Sequence, residues 1–206
     1  MGPTAAIAEA TARHAGQAPR ERILAAAREL LFRHGIRAVG VDAIAEAAGT
    51  NKMTLYRHFA SKDELIAACL RQLAAEKDAA WDAIAREHAG DPRGELQAWL
   101  ELVDQHLMKL NERGCALANA AVELPEKDHP ARRVIETSKT RHRERLSLLC
   151  QAAGLSEPER LADEVFLLIE GARISLQSVG PGGPGSRLAP MLQALIREHA
   201  RPPAGG

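Results

Sequence analysis

The sequence predicts an all-α protein, and its composition is the first reason. Hydrophobic residues make up 46% of the 206-residue chain, but aromatic residues make up only 3%. Ala, Leu, Glu and Arg, which favour helices, are abundant, and alternating β-branched runs typical of strands are scarce. The spacing of apolar residues indicates about nine helices. We therefore expect a small N-terminal helical domain followed by a larger helical one.

Charge and cysteine content exclude several classes of protein. Lys and Arg total 27, as do Asp and Glu, so the chain is not a polycation that coats nucleic acid. Residues 1–70 carry nine basic against seven acidic residues. The three cysteines lack Cys-x-x-Cys spacing, which argues against a disulfide framework or a zinc site. Cys115 and Cys150 are expected as small buried hydrophobes, with a redox sensor as the alternative.

Neither a signal peptide nor a membrane span is visible in the sequence. Residues 1–19 contain no continuous apolar stretch, and no uncharged apolar run is long enough to cross a bilayer. We expect a cytoplasmic protein with no membrane partner. Residues 1–19 should form a disordered arm, and residues 201–206 a flexible tail.

The first three helices are short and closely spaced. Apolar residues from Ile23 to Leu31 keep a helical period, and Gly35 ends that helix. Val41 to Ala48 repeat the period, and Asn51 is a good N-cap for a third helix. Helix, tight turn and helix, over about 41–60, form the helix-turn-helix arrangement within a domain of residues 20–70.

The third helix has the character of a DNA-reading helix. Leu55 and Phe59 lie one turn apart and should face a core. Met53, Thr54 and Arg57 then point the other way, and the stretch from Gly49 to Lys62 contains no Asp or Glu. Such a helix suits phosphate contacts at its edges and base contacts at its centre.

Residues 71–200 are predicted to form a second helical domain. A capping box of Ser61 and Glu64 opens a long helix that reaches about His88. Further helices are expected at about 92–114, 115–124 and 131–153, and a Ser156/Glu159 start signal precedes an almost uniformly apolar helix, 161–177. That helix should be buried on two sides, one of them a second subunit. A flexible break, 180–185, leads to a last helix over 188–199.

The runs Val41–Gly49, Lys52–Phe59 and Ser61–Leu65 resemble the DNA-binding domain of the TetR (tetracycline-repressor) family of bacterial transcription regulators. The resemblance covers roughly Arg20 to Leu70. It implies a homodimer that binds a palindromic DNA operator and a C-terminal domain that binds a small effector. By position in the motif, family members contact phosphates at Thr50, Asn51, Tyr56, His58 and Lys62, and read bases or nearby backbone at Lys52, Met53, Thr54 and Arg57.

This sequence departs from the family pattern at three places. Gly40 stands where Thr or Ser commonly caps the second helix, which costs a few tenths of a kcal/mol, roughly, in helix stability. Thr50-Asn51 and Met53 replace the commoner Val-Ser and Gly. Met53 places an apolar group at the DNA face and favours a thymine methyl. Tyr56 is either a phosphate contact or partly a core residue.

Six residues are candidates for an effector pocket, each with a purely structural alternative. Trp99 and His106 share a helix face and either fill the core or line the pocket. Asn119 and Glu123 are pocket residues or bridging groups. Phe166 and Glu170 lie on one stripe with Arg173, which forms an i, i+3 ion pair with Glu170 by default.

The function predicted is a repressor that a small molecule releases from DNA. No metal-ligand spacing, nucleophile elbow or phosphate loop is present, so we expect neither a cofactor nor an enzyme. A helical enzyme and a DNA-coating protein without sequence preference are the alternatives.

Overall fold

The computed structural model describes residues 18–108 and 114–200, so the expected arm and tail lie almost entirely outside the described residues. Within these two ranges the chain is all-α, as predicted, with nine α-helices, one 3₁₀ helix and no strand. The α-helices are α1 (Pro19–His34), α2 (Val41–Ala47), α3 (Lys52–His58), α4 (Lys62–Glu87), α5 (Pro92–Met108), α6 (Ala116–Glu123), α7 (Pro130–Ala152), α8 (Pro158–Val179) and α9 (Leu188–His199). The 3₁₀ helix, Pro184–Arg187, precedes α9.

The chain forms two compact units, and neither is continuous in sequence. Among the described residues, the N-terminal unit contains those up to Ala75 together with Ala116–Glu136, and the C-terminal unit contains those from Glu76 to Cys115 and from Thr137 onward. The sequence-based division at residue 70 assigned all of 116–136 to the second domain. Within the N-terminal unit, Glu123 at the end of α6 accepts a hydrogen bond from the backbone of Ile36.

Side chains of α1 to α4 form the core of the N-terminal unit. Ile23, Leu31, Ile44, Leu55 and Leu65 are each at most 2% exposed. Burying one such side chain stabilises a fold by about 1.5–3 kcal/mol. Ala45 and Ala47 of α2 are also buried, as expected where two short helices cross closely. This core fixes which face of α3 remains outside.

The core of the C-terminal unit joins the second half of α4 with α5, α7, α8 and α9. Its largest fully buried members are Trp81, Leu146, Leu161, Leu188 and Leu192. The apolar character of α8 is therefore explained in part within one subunit, because Leu161, Ala162, Val165 and Ile169 face this core. No helix among the described residues is long and apolar enough to span a membrane.

The start of α8 differs from the sequence prediction. Glu157, not Ser156, is the N-cap residue; it has φ 49° and forms no side-chain cap. Ser156 instead donates through its hydroxyl and its backbone N–H to the carbonyl of His199. Pro158 at the start of α8 moves the helix boundary one residue along, since proline fits the first helical turn.

The glycine-rich connection between α8 and α9 is packed against α8 rather than extended. A Cβ on Gly185 would lie 2.7 Å from Leu176 Cγ and 2.8 Å from the Ala172 carbonyl oxygen. The Gly185 N–H also donates to Ser175 Oγ at 3.0 Å. Only glycine permits this close approach, so the connection predicted as a flexible break is a fitted segment of the C-terminal unit.

Candidate nucleic-acid interface

Local interactions set the start and end of α3. The Asn51 side-chain oxygen accepts a hydrogen bond from the Thr54 N–H at 2.9 Å, which confirms the predicted cap. Asn51 and Phe59, which flank the helix, both have extended backbones. The helix is therefore just Lys52–His58, two turns held between a polar cap and a buried aromatic residue.

The two faces of α3 differ sharply in burial. Leu55 is 0% exposed and Phe59 5% exposed, so the expected inward face is confirmed. On the outer face Met53 is 75% exposed and Tyr56 42% exposed. Tyr56 is thus exposed, although less so than Met53, and more than half of its surface is covered.

The outer face of α3 carries positive charge and no carboxylate of its own. Lys52 lies 3.4 Å from the Asp42 carboxylate of α2, and both side chains are largely exposed. Arg57 and His58 are exposed, and neither has an ion pair within the described chain. The exposed Lys52–Asp42 pair contributes under about 1 kcal/mol, so Lys52 can exchange Asp42 for another anion at little cost.

The remaining candidates lie around the ends of the helix. Thr50 and Thr54 are half-buried, and Asn51 is exposed. Lys62, at the start of α4, donates to the Ile36 carbonyl at 2.7 Å. Its ammonium thus holds the loop before α2, which the sequence did not reveal. An ammonium has three donor hydrogens, so this bond leaves others available.

A second anchor for the same loop comes from α6. Glu123 Oε2 accepts from the Ile36 N–H at 2.6 Å and from the Arg37 N–H at 3.4 Å. Arg37 Nε donates in return to the Glu123 carbonyl at 3.1 Å. Glu123 was a candidate for the effector pocket, but its carboxylate is directed at the backbone of the N-terminal unit. No local sequence signal marks a contact across 87 residues.

The other pocket candidates do not form one group. Trp99 is buried against Trp81, with ring centroids 4.6 Å apart. His106, seven residues further on, is exposed and its ring nitrogen bonds to the Leu102 carbonyl at 2.8 Å. Asn119 is half-buried in the N-terminal unit, with Glu123.

Phe166 and Glu170 do lie together, in a charged cluster of the C-terminal unit. Glu170 pairs with Arg173, the expected i, i+3 pair, and also with Lys139 of α7. The Lys139 ammonium lies over the Phe166 ring, 5.4 Å from its centroid. Burial tends to raise the pKa of the Glu170 carboxyl, but the two cations outweigh it and the net pKa is below its ordinary value.

In residues 18–108 and 114–200, no group of three His, Cys, Asp or Glu side chains is placed to hold a metal ion. The candidate interface is therefore α3, a helix of the helix-turn-helix that has an exposed outer face and carries no carboxylate.

Comparison with known proteins agrees with this geometry. Residues 23–69 match the family model for bacterial regulatory proteins of the tetR family. Over 53 residues the chain is 45% identical to the HTH-type transcriptional activator FasR of Mycolicibacterium smegmatis, a match covering 26% of this chain and 24% of that protein. The chain thus matches about a quarter of that curated relative's length.

Solved structures extend the likeness to the whole fold. A TetR transcriptional regulator from Streptomyces avermitilis is 31% identical, with a TM-score of 0.72, over 89% of this chain and 98% of that one. SCO4454, a TetR-family regulator from Streptomyces coelicolor, is 24% identical with a TM-score of 0.78, over 89% of this chain and 96% of that one. The chain described here belongs to the TetR family of transcriptional regulators, which are DNA-binding proteins and not enzymes.

Proposed function

We propose that this regulator is a cytoplasmic homodimer that represses transcription from a palindromic operator and is released by a small-molecule effector. The observation that carries the proposal is the outer face of α3. Met53, Tyr56 and Arg57 are exposed there, on a helix without carboxylates. In helix-turn-helix dimers, the second helix of the motif in each subunit enters the major groove, with half-sites about 34 Å apart.

Within this proposal the nine candidate residues divide into two roles. Arg57 is suited to a bidentate contact with guanine, worth about 1–3 kcal/mol of discrimination between bases. Lys52, Met53 and Thr54 read bases or the nearby backbone. The remaining five residues contact phosphates and fix the position of the helix: Thr50, Asn51, Tyr56, His58 and Lys62.

Selection from a random duplex library tests the DNA-reading role. The wild-type protein should enrich a palindrome, and Arg57→Ala should lose preference at one base pair of each half-site. Arg33→Ala is a matched control, because Arg33 lies in the same unit with a side chain 60% exposed. Equal affinity of the Arg57→Ala protein and the wild type for the enriched duplex would defeat the assignment of α3.

The same titrations separate base contacts from phosphate contacts. Loss of one phosphate contact should reduce the slope of log affinity against log salt by about 0.9. We expect that reduction for Lys62→Met, because a lysine ammonium replaces counterions at a phosphate, and the enriched sequence should be unchanged. Tyr56→Phe removes an uncharged contact, so it should weaken binding to all duplexes by a similar factor without changing the slope. An unchanged slope in Lys62→Met, or an unchanged affinity in Tyr56→Phe, would remove that residue from the phosphate set.

The proposed dimer interface is the surface shared by α8 and α9. Leu167 and Ile174, seven residues apart on α8, are 69% and 56% exposed, and Met191 of α9 is 47% exposed. Between the two helices lies a groove of about 580 Å³ with mainly apolar walls. A Cβ on Gly171, midway between the exposed residues, would meet nothing within 4 Å. The surface is thus apolar and open enough for a second copy to approach, which supports a four-helix interface.

Sedimentation at micromolar concentration tests this interface. Leu167→Glu should convert the dimer to a monomer, because Leu167 lines the groove and a charge buried between subunits lacks a partner. Leu148→Glu is the control, since Leu148 of α7 is 65% exposed and lies outside the groove. A wild-type monomer, or a dimer in which both variants behave alike, would exclude the α8–α9 interface.

Effector release requires that the ligand bind one conformation better than the other. Shifting a population from 1:99 to 99:1 takes roughly 5.5 kcal/mol of differential binding. Trp99, Phe166 and Glu170, all in the C-terminal unit, are the residues we assign to that ligand. Transcripts from operator-bearing genes should rise when the gene for this regulator is deleted. A fall would indicate activation, as the name of the Mycolicibacterium relative suggests for that protein.

A further inference from the structure

A concave site lies within the N-terminal unit, apart from the groove of α8 and α9. It is an open cavity of about 500 Å³, lined by residues within 36–37 of the loop before α2, 62–66 of α4 and 124–130 between α6 and α7. All of its lining residues belong to this one unit. Its size falls within the roughly 300–1,000 Å³ that is usual for small-molecule sites. We refer to it as the α4–α7 cavity.

His129 brings to this cavity a buried hydrogen-bond donor that has no acceptor. The Ala131 N–H donates to His129 Nδ1 at 3.1 Å, so Nδ1 holds the lone pair and Nε2 carries the proton. The side chain is 8% exposed, and Nε2 has no hydrogen-bond partner among the described residues. Asp63 Oδ1 lies 3.3 Å away but accepts no hydrogen bond from it. Because a buried N–H without an acceptor costs free energy, the site is one acceptor atom short.

Two cationic side chains line the same cavity. Lys62 uses one of its three donor hydrogens on the Ile36 carbonyl, which leaves others available. Arg37 Nε donates to the Glu123 carbonyl, and a terminal nitrogen of Arg37 lies 3.9 Å from Glu126. A carboxylate is the acceptor that an ammonium and an imidazole N–H both bind strongly. Lys62 and the His129 ring therefore favour a ligand with a carboxylate.

Carboxylates also line the cavity, so its wall carries charges of both signs. The side chains of Asp63 and Glu126 are each 57% exposed, and Asp128 is exposed as well. These groups repel a ligand that carries only negative charge, whereas they attract one that also carries an ammonium. The rest of the wall is apolar: Ile36, Ile66, Leu124 and Pro130. The wall thus matches a small zwitterion with an apolar part.

We propose that the α4–α7 cavity binds a free amino acid with an apolar side chain. The ligand's carboxylate accepts hydrogen bonds from His129 Nε2 and from the Lys62 ammonium. The Asp63 side chain, which is more than half exposed, turns from His129 to the ligand's ammonium at little cost. Each charge of the ligand then has an opposite partner, and the His129 donor gains its acceptor. The ligand joins the start of α4 to the start of α7.

This site is separate from the effector site assigned above to the C-terminal unit. Trp99, Phe166 and Glu170 belong to that unit, and none of them lines the α4–α7 cavity. Binding in the cavity can be measured without DNA. A failure of this proposal therefore leaves the DNA-reading role of α3 untouched.

Nuclear magnetic resonance of ¹⁵N-labelled histidine side chains in the full-length protein tests the site. Leucine, isoleucine, valine, methionine and phenylalanine are each titrated to about 10 mM, enough to fill most of a site whose Kd is about 1 mM. We expect at least one of them to shift the His129 ring signals saturably. The signals of His34, which is exposed on the same unit, should not move. No saturable shift at His129 with any of the five would overturn the proposal.

Analogues that lack one charge test how the ligand is held. For leucine, isocaproate lacks the ammonium and isoamylamine lacks the carboxylate. Each should bind the wild-type protein at least about 10-fold more weakly than leucine, because a charge-assisted hydrogen bond is lost. Isocaproate binding as tightly as leucine would exclude the role of Asp63. Isoamylamine binding as tightly would exclude the roles of His129 and Lys62.

His129→Asn tests the buried donor itself. Asparagine keeps a side-chain acceptor for the Ala131 N–H at the start of α7 but is too short to place a donor at the position of Nε2. Calorimetry should show an affinity for the bound amino acid about 10- to 150-fold lower, the effect of one hydrogen bond to a charged group. His34→Asn makes the same change outside the cavity and should bind as the wild type does. An affinity of His129→Asn equal to that of the wild type would refute the role of His129. The comparison of analogues needs only the wild-type protein, so it decides the matter if the variant does not fold.

Discussion

Removal of the Glu123 carboxylate should loosen the loop that precedes α2. Glu123 Oε2 lies 2.6 Å from the Ile36 nitrogen, and Ile36 is only 6% exposed. A hydrogen bond to a charged group contributes about 1.5–3 kcal/mol, and a buried N–H left without an acceptor costs about 1–3 kcal/mol. The second bond, to Arg37 N–H at 3.4 Å, is exposed and should add little.

Hydrogen exchange at the Ile36 amide measures this contribution directly. If Ile36 exchanges by local opening, Glu123→Ala should speed its exchange by roughly 10- to 150-fold, the equivalent of 1.5–3 kcal/mol. Glu123→Gln keeps an acceptor oxygen and should give a smaller increase. Amides of α1 buried in the same unit should be much less affected, because their hydrogen bonds do not involve α6.

Glu126 provides the matched control for this experiment. Its carboxylate lies 3.9 Å from Arg37, and both side chains are more than half exposed. Such a surface pair contributes under about 1 kcal/mol, so Glu126→Ala should change Ile36 exchange by only a few-fold at most. If Glu123→Ala and Glu126→Ala gave the same exchange rate at Ile36, the reasoning about the Glu123 carboxylate would be refuted.

Three further predictions concern stability. Asn51→Ala should lower the free energy of unfolding by about 1 kcal/mol through loss of the α3 cap, whereas Asn51→Ser should retain most of the stability. Urea unfolding measures both variants, and equal losses would contradict the role of Asn51 as a cap. Ser138 is 2% exposed and its hydroxyl has no partner in the described part of the chain. Ser138→Ala should therefore raise Tm, by about 2–4 °C per kcal/mol of stability recovered. A lower Tm would point to a partner for that hydroxyl. Because the Glu170 pKa is lower in the folded state, its carboxylate stabilises the fold above the ordinary value of 4.5, and this contribution is lost as pH falls through the folded pKa. Glu170→Gln should therefore flatten the acid side of a plot of Tm against pH, and an unchanged profile would rule this out.

The features predicted correctly from sequence are those fixed by neighbouring residues. Asn51 caps α3 because its side chain needs only the Thr54 N–H, three residues away. The capping box at α4 is equally local, with the Glu64 N–H donating to Ser61 Oγ at 3.1 Å. The inward face of α3 follows from apolar spacing within a single turn and a half. The outer face, which forms the candidate nucleic-acid interface, is therefore predictable from local sequence alone.

Features that depend on distant partners could not be predicted in the same way. Ser156 and Glu159 match a helix-start pattern, but the Ser156 hydroxyl bonds to His199, 43 residues away. Glu123 was interpreted from sequence as a pocket candidate. Nothing in the local sequence of its short helix indicates that the carboxylate binds a distant loop. Lys77 Nζ and Cys115 Sγ lie 3.7 Å apart, but these residues are 38 positions apart and show no pattern at all in the sequence. Each of these contacts is decided by tertiary packing.

The Glu123 anchor has a consequence for how DNA specificity can be transferred between regulators. The N-terminal unit is encoded by two separate stretches of the gene, since Ala116–Glu136 belong to it. A hybrid that joins only residues 1–75 to the regulatory half of another protein would leave the Ile36 amide without its carboxylate. Substitutions in the loop before α2 and at the end of α6 must therefore be compatible with each other. A functional exchange of the DNA-reading part needs both stretches, or a replacement acceptor for that one amide.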